Sequence, residues 1–118
     1  MHGFPSDLDP AVFCGRELQL VSFTSNTVHL SFDGDASITV ESTVLYQVDD
    51  ASALVQQVPP VAASALMALV GRRVCAATSN TDGSLRLQLE GGGIITCLDD
   101  SKDYESYHVR VGGQEFHV

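Results

Sequence analysis

The sequence predicts an α+β domain in which two duplicated antiparallel three-stranded meanders surround one central helix, followed by a C-terminal β-hairpin. Three observations predict this fold: an internal repeat, an apolar helix-forming stretch between its two copies, and a Gly-Gly turn near residue 112. The 118 residues, 44% of them hydrophobic, are enough for one core. We therefore expect a single domain spanning residues 1–118.

The internal repeat relates residues 15–48 to residues 71–118. Each copy begins with a Gly-Arg pair and passes through a polar turn. Apolar and polar residues then alternate, from Val28 to Phe32 in the first copy and from Leu85 to Leu89 in the second. A period of two is typical of a strand with one buried face. The alternation therefore predicts the middle strand of each meander.

Short loops rich in glycine follow these strands and predict tight hairpins. In the returning strands, we expect Ile38 to face Phe32 and Ile95 to face Leu89. Both halves then pair apolar with apolar residues in the same register, which is why this register is preferred.

A helix is predicted over residues 60–70, between the two copies. Proline is tolerated in a first helical turn, and the stretch that follows Pro59-Pro60 is rich in good helix formers. Gly71 is well placed to end the helix. Because apolar residues occupy nearly every side, we expect the helix to be largely buried, with Met67 filling a gap in the core.

The C-terminal hairpin is predicted around Gly112-Gly113, since a two-residue glycine loop suits a type I′ or II′ turn. The alternation places one apolar face toward the core and one polar face toward solvent or a partner. The predicted cross-strand pairs are Arg110 with Glu115, Val109 with Phe116, and His108 with His117.

Charge and cysteine content exclude several classes of protein. The net charge is −9, from 15 acidic and 6 basic residues, which argues against direct binding of nucleic acid. Such an acidic surface either attracts a basic partner or is simply a solvated surface that favours solubility. Three cysteines without CxxC spacing argue against a disulfide framework or a zinc site. We expect buried thiols at all three positions, Cys14, Cys75 and Cys97.

Two features of the sequence bear on location. The longest apolar stretch, Val61 to Val70, is shorter than the roughly 20 residues that span a bilayer. The first residues, Met1 to Asp7, lack a basic region followed by an apolar run, as a signal peptide would have. The sequence therefore predicts a cytoplasmic protein that does not bind membranes.

No catalytic residue, cofactor or resident metal is predicted, because the nucleotide-binding, serine-hydrolase and zinc-protease motifs are absent from the sequence. Two groups are nevertheless candidates for a functional surface. His108 and His117 face each other in the predicted hairpin, and imidazoles so placed form either half of a transition-metal site or an exposed polar pair. An acidic run forms either a Ca²⁺ site or a solvated loop; it comprises Asp99, Asp100, Asp103 and Glu105.

The same acidic run carries a family resemblance. Residues 99–107 read DDSKDYESY, after the stretches LVGRRV at 69–74 and LRLQL at 85–89. With the first-half stretch LSFDGDASITVE at 30–41, they resemble a bacterial domain-of-unknown-function family of small proteins that end with a "DDSKxYESY" segment and a hairpin. The resemblance covers nearly the whole chain from about Gly15 onward. It implies a bacterial source and brings no established activity.

The leading functional hypothesis is a non-enzymatic protein-interaction module. A specific version, based on size and charge, is an immunity or antitoxin-like protein that blocks a basic toxin surface. The alternatives are a small-ligand-binding protein with its pocket between the helix and the meanders, and a hydrolase that uses the acidic loop. A homodimer is also predicted, because the strand Gln114 to Val118 is a plausible free sheet edge.

Overall fold

The computed structural model describes residues 4–24, 26–49, 55–57, 65–100 and 106–118, with the backbone alone for residues 55–57 and 65. In these ranges the chain forms ten strands and three short 3₁₀ helices. The helices are η1 (Pro10–Phe13), η2 (Ala65–Leu69) and η3 (Glu90–Gly92). The strands are β1 (Leu18–Phe23), β2 (Val28–Phe32), β3 (Ala36–Val40), β4 (Val44–Gln47), β5 (Val55–Gln57), β6 (Val74–Ser79), β7 (Leu85–Leu89), β8 (Gly93–Cys97), β9 (Tyr107–Val111) and β10 (Gln114–His117).

The strands form two five-stranded antiparallel sheets. The first sheet has the order β1-β2-β3-β9-β10, and the second has the order β5-β4-β8-β7-β6. Each sheet thus combines three consecutive strands from one half of the chain with a two-stranded hairpin from the other half. The inner faces of both sheets contribute to one cluster of buried apolar residues.

The predicted α+β class is wrong, because the described chain is nearly all antiparallel β and has no helix of seven or more residues. The central helix predicted over 60–70 is absent from the described part of that range, where η2 is a 3₁₀ helix of five residues. Residues 60–64 lie outside the described residues.

The burial around η2 explains why an apolar stretch does not become a buried helix. Leu66 and Leu69 are buried, whereas Met67 is 54% exposed and Val70 is also exposed. Two buried residues three positions apart suit the three-residue period of a 3₁₀ turn. Because the sheets already cover each other, η2 only caps the core, and the prediction that Met67 fills a core gap is wrong.

The two predicted meanders are present as β1-β2-β3 and β6-β7-β8. Their hairpin loops, residues 33–35 and 90–92, each hold three residues. Leu30 therefore pairs with Ile38 and Leu87 with Ile95, so the predicted hairpin register is wrong by two residues in both halves. An even shift keeps every side chain on its predicted face.

The meanders share further details of backbone geometry. Both first strands carry a β-bulge, between Leu18 and Leu20 in β1 and between Val74 and Ala76 in β6. The internal repeat itself stays a prediction, and these matching pairings are the observations that favour it.

The halves meet where β1 and β6 begin. An isolated antiparallel bridge joins Glu17 to Arg73. On one side of it, the amide of Gly15 donates to the carbonyl of Val74 (2.8 Å); on the other, the amide of Gly71 donates to the carbonyl of Leu18 (2.7 Å). These reciprocal hydrogen bonds link the bulged edges of the two sheets.

The C-terminal hairpin is confirmed, and its three predicted cross-strand pairs are observed. Its apolar face contributes Tyr107, Val109 and Val118 to the buried core. The prediction for the cysteines is wrong in two places, because Cys14 and Cys75 are exposed and only Cys97 is buried.

Candidate functional site

The outer, solvent-facing side of the second sheet contains a groove of about 400 Å³. Strands β4, β7 and β8 form its floor, and the turn between β6 and β7 forms one end. Side chains alternate between the two faces of a strand, so the residues of these strands that line the groove are outward-facing ones. The residues that line it are Leu45, Gln47, Asn80, Asp82, Ser84, Arg86, Ile94, Thr96 and Leu98.

Three aliphatic side chains, Leu45, Ile94 and Leu98, lie next to one another on this floor and are called the outer strip here. Leu45 is paired with Thr96 across β4 and β8. Ile94 and Leu98 are two residues before and after Thr96, so both are diagonal neighbours of Leu45. All three are half-buried and contact the groove.

The charged residues of the groove are Arg86 and Asp82. Arg86 is exposed on β7 and is paired with Thr96 across β7 and β8. Within the described ranges, its guanidinium forms no ion pair. It is therefore able to pair with a carboxylate or another anionic group that enters the groove.

Asp82 is held by the turn that begins at Asn80. Its Oδ1 accepts hydrogen bonds from the amide (3.0 Å) and the hydroxyl (2.7 Å) of Ser84. These two hydrogen bonds lower the pKa of the Asp82 carboxyl from its usual value. Asn80 Nδ2 donates to the same hydroxyl (3.0 Å), so this end of the groove is ordered before anything binds.

A buried polar cluster lies beneath this turn. The Tyr107 hydroxyl donates to the carbonyl of Gly83 (2.7 Å), and the Ser106 hydroxyl donates to Asp99 Oδ1 (2.7 Å). Burial, with smaller contributions from Cys97 and nearby carboxylates, raises the pKa of Tyr107. Burial also raises the pKa of the Cys97 thiol to about 12. Both groups stay protonated near neutral pH, so the cluster holds the turn in place rather than supplying a nucleophile.

The acidic run is split by the structure. Asp99 is only 6% exposed and its carboxylate lies in the buried cluster. The prediction that it belongs to a surface site is therefore wrong. Asp100 is exposed and accepts hydrogen bonds from the amide (3.2 Å) and hydroxyl (2.6 Å) of Thr43. Asp103 and Glu105 lie outside the described residues.

His108 and His117 face each other on the outer side of the first sheet, with ring centroids 5.6 Å apart. A third histidine, His29, was missed by sequence reasoning. His29 is paired with Thr39 across β2 and β3, and Thr39 is paired with His108 across β3 and β9, so all three histidines lie in one row across the sheet. Its Nδ1 is 2.9 Å from the Thr39 hydroxyl. Over the described residues, no group of three His, Cys, Asp or Glu side chains is arranged to hold a metal ion.

Comparison with known proteins places the chain in a family. Residues 10–118 match a family of unknown function, DUF6188. The chain belongs to this family. Searches of curated proteins and of solved structures find no match. Membership in DUF6188 supports an uncharacterised domain family and assigns no activity to the groove.

Two further findings bear on what the sequence predicted. Among the described helices, none has the length and apolar character needed to cross a bilayer. The outer strip was missed because sequence reasoning predicted no strand over Val44–Gln47, where apolar residues are nearly continuous. An alternating reading of Leu45 and Gln47 as outward-facing residues was the available signal.

Proposed function

We propose that this protein is a non-enzymatic interaction module and that a partner protein docks on the outer face of its second sheet. The observation that carries the proposal is the outer strip, which places three aliphatic side chains on a face open to solvent. The solvated face of an antiparallel sheet normally carries polar residues. An apolar centre with a polar rim is the usual anatomy of a protein interface.

The corresponding face of the first sheet supports the same proposal by contrast. Ile94 is the second residue of β8, and the second residue of β3 is Ser37. Leu45 is the second residue of β4, and the second residue of β9 is His108. The first sheet thus has polar residues at both positions, which indicates that aliphatic residues there are not a requirement of the fold.

The charges of the molecule favour a basic partner. A net charge of −9 attracts a basic surface and steers its approach. At the groove itself, Asp82 pairs with a basic side chain of the partner, and Arg86 pairs with a carboxylate beside it. An immunity or antitoxin-like role against a basic toxin is a specific version of this proposal, supported by size and charge.

The size of the face sets the expected affinity. Five strands about 4.8 Å apart and five residues of about 3.3 Å each give a face of roughly 20 by 17 Å. Such an area belongs to the small, transient class of interfaces, unless neighbouring loops add to it. We therefore expect dissociation constants in the micromolar range.

The experiment compares two substitutions during affinity capture from cells of the source organism. Ile94→Ser removes one of the three aliphatic side chains of the outer strip, whereas Leu20→Ser makes a similar change at an exposed aliphatic residue of the first sheet. We expect a captured protein whose affinity, measured with purified components, falls roughly tenfold with Ile94→Ser and is unchanged by Leu20→Ser. Binding should also weaken as salt is added.

Two results would contradict the proposal. One is that every captured protein binds the Ile94→Ser variant as well as it binds the unaltered chain. The other is that Leu20→Ser weakens binding as much, since this places the interface on the first sheet or reports a general loss of folding.

A second candidate function, binding of a small ligand, is favoured by the groove volume. About 400 Å³ lies within the range of roughly 300–1,000 Å³ that is usual for small-molecule sites. The sequence predicted a pocket between the helix and the meanders, whereas this groove lies on the outer face of the second sheet. A thermal shift with an anionic metabolite that is lost with Arg86→Gln would favour this function over protein docking.

A further inference from the structure

The four edges of the two sheets differ in how well they are protected against pairing with another chain. Strands β1 and β6 each contain a bulge, and they are linked to each other through Glu17 and Arg73. Strand β5 has only three residues. Strand β10 pairs with β9 in unbroken register and is the outermost strand of the first sheet. Among the described residues, β10 is the edge that has neither a bulge nor a link to another edge, and it is one residue longer than β5.

Backbone geometry identifies the groups that β10 presents at this edge. The amide of Val118 donates to the carbonyl of Tyr107 (2.9 Å), which turns its N–H toward β9. In an antiparallel strand, hydrogen-bonding groups alternate between the two sides. Gln114 and Phe116 therefore also bond toward β9, and the N–H and C=O groups of Glu115 and His117 point to the side of β10 away from β9.

We propose that β10 pairs with β10 of a second copy, in an antiparallel arrangement with its two-fold axis at Phe116. Only Glu115 and His117 offer outward groups, so three symmetric registers are available, with the axis at residue 115, 116 or 117. An axis at 115 places Glu115 directly opposite its own copy, which is unfavourable. An axis at 117 leaves the shortest overlap between the strands.

The register centred on residue 116 satisfies both the backbone and the side chains. Glu115 of each chain exchanges two hydrogen bonds with His117 of the other. Phe116 meets Phe116 of the second copy as a closely spaced pair, and aromatic cross-strand pairs stabilise a sheet. Within each chain Glu115 is also opposite Arg110. Its Oε2 also lies 3.9 Å from Nε2 of His117 in the same strand. In the dimer the carboxylate would therefore lie beside Arg110 and His117 of its own chain and the imidazole of the other.

The second copy suits this edge better than an unrelated strand does, because the strand is complementary to itself. Glu115, Phe116 and His117 form an acidic, aromatic and basic series that matches its own reverse. The dimer would have a continuous ten-stranded sheet and would leave the groove of the second sheet uncovered. The inference is thus independent of the proposed function, and variants that break the dimer should still bind the partner.

The first test measures mass and dissociation constant by sedimentation equilibrium. We expect a dimer that tightens with added salt, because two chains of net charge −9 repel each other. Glu115→Arg removes the carboxylate from the seam, and His117→Glu places like charges across it, so each should weaken the dimer roughly tenfold. The double variant restores opposite charges and should recover most of the loss. Both side chains are exposed, so folding should be preserved.

The second test reads the register by disulfide trapping in a background with Cys14→Ser and Cys75→Ser. Phe116→Cys should form a cross-linked dimer quickly, because the paired Cα atoms would lie about 4.5 Å apart. Glu115→Cys alone should cross-link slowly. If loss of the Phe116 ring impairs folding, the double variant Glu115→Cys/His117→Cys keeps that ring and should cross-link in its place.

Four outcomes would overturn the inference. A monomeric mass up to about 100 µM excludes the dimer at any useful affinity. A dimer that neither charge variant weakens is formed by another surface. Faster cross-linking of Glu115→Cys than of Phe116→Cys places the two-fold axis elsewhere. If the chain itself stays monomeric and this edge pairs with a different protein, the edge belongs to that partner.

Discussion

Replacing Leu87 with alanine tests whether the second sheet is assembled as described. Leu87 is 0% exposed and lies at the centre of β7, between Ala77 of β6 and Ile95 of β8. Leucine-to-alanine changes in cores cost about 2–5 kcal/mol, and the cost is highest where the surroundings cannot collapse. The strands on both sides keep the site from collapsing, and the side chain of Ala77 is too short to fill the cavity. We therefore expect a loss of about 3–4 kcal/mol, a large part of a total stability of roughly 5–15 kcal/mol.

The measurement is urea denaturation followed by circular dichroism, with the free energy of unfolding compared at unchanged m value. Leu20→Ala is the matched control, since it makes the same chemical change at a side chain that is 53% exposed. We expect the control to lose less than about 0.5–1 kcal/mol. A loss below about 1 kcal/mol for Leu87→Ala would refute the reasoning, because truncating a leucine at the centre of a closed core lowers the free energy of unfolding by more than this.

Three further predictions concern single sites. Gly83→Ala should destabilise the protein by about 1–3 kcal/mol, because a Cβ there collides with the Asp99 carboxylate and because the residue has a φ of +88°. The same change at Gly112, where no other atom is near, should cost less. Cys97 should react with a thiol reagent only after unfolding, and the other two cysteines should react in the native protein, because burial raises the pKa of Cys97 to about 12. The pKa of Asp82 is lowered from 3.8 in the folded protein. The stability that its carboxylate contributes is therefore complete above pH 3.8 and is lost as the pH falls through the folded-state pKa. We expect the acid unfolding of Asp82→Ala to depend less steeply on pH.

Local features of the fold could be predicted from the sequence. Alternation identified β2, β7 and both hairpin strands at the C-terminus, and the Gly-Gly turn gave the pairing of His108 with His117 correctly. The hairpin loops of the meanders were harder to place. They are residues 33–35 and 90–92, with left-handed positions at Gly34, Asp35, Gly91 and Gly92, and each begins one residue earlier than the predicted register requires.

The helix prediction failed because composition alone cannot show what covers an apolar stretch. Residues from Ala65 to Leu69 are good helix formers, but among residues 66–69 only Leu66 and Leu69 are buried. The outward direction of Leu45 could be predicted from local alternation, but its grouping with Ile94 and Leu98 could not, for a related reason. It depends on pairing Leu45 with Thr96, about fifty residues away along the chain, and no local pattern encodes that contact.

The exchange of hairpins between the sheets has a consequence for synthesis on the ribosome. Strand β4 is made early, but its partner β8 (Gly93–Cys97) emerges only after most of the chain has been translated. Until then the first three strands also lack β9, which borders β3 in the finished sheet. Neither half can complete a sheet from its own strands, so we expect folding to wait for nearly the full chain and to proceed in one cooperative step. Nascent chains halted near residue 60 should remain sensitive to protease, and this exposed interval is where chaperones have the most to protect.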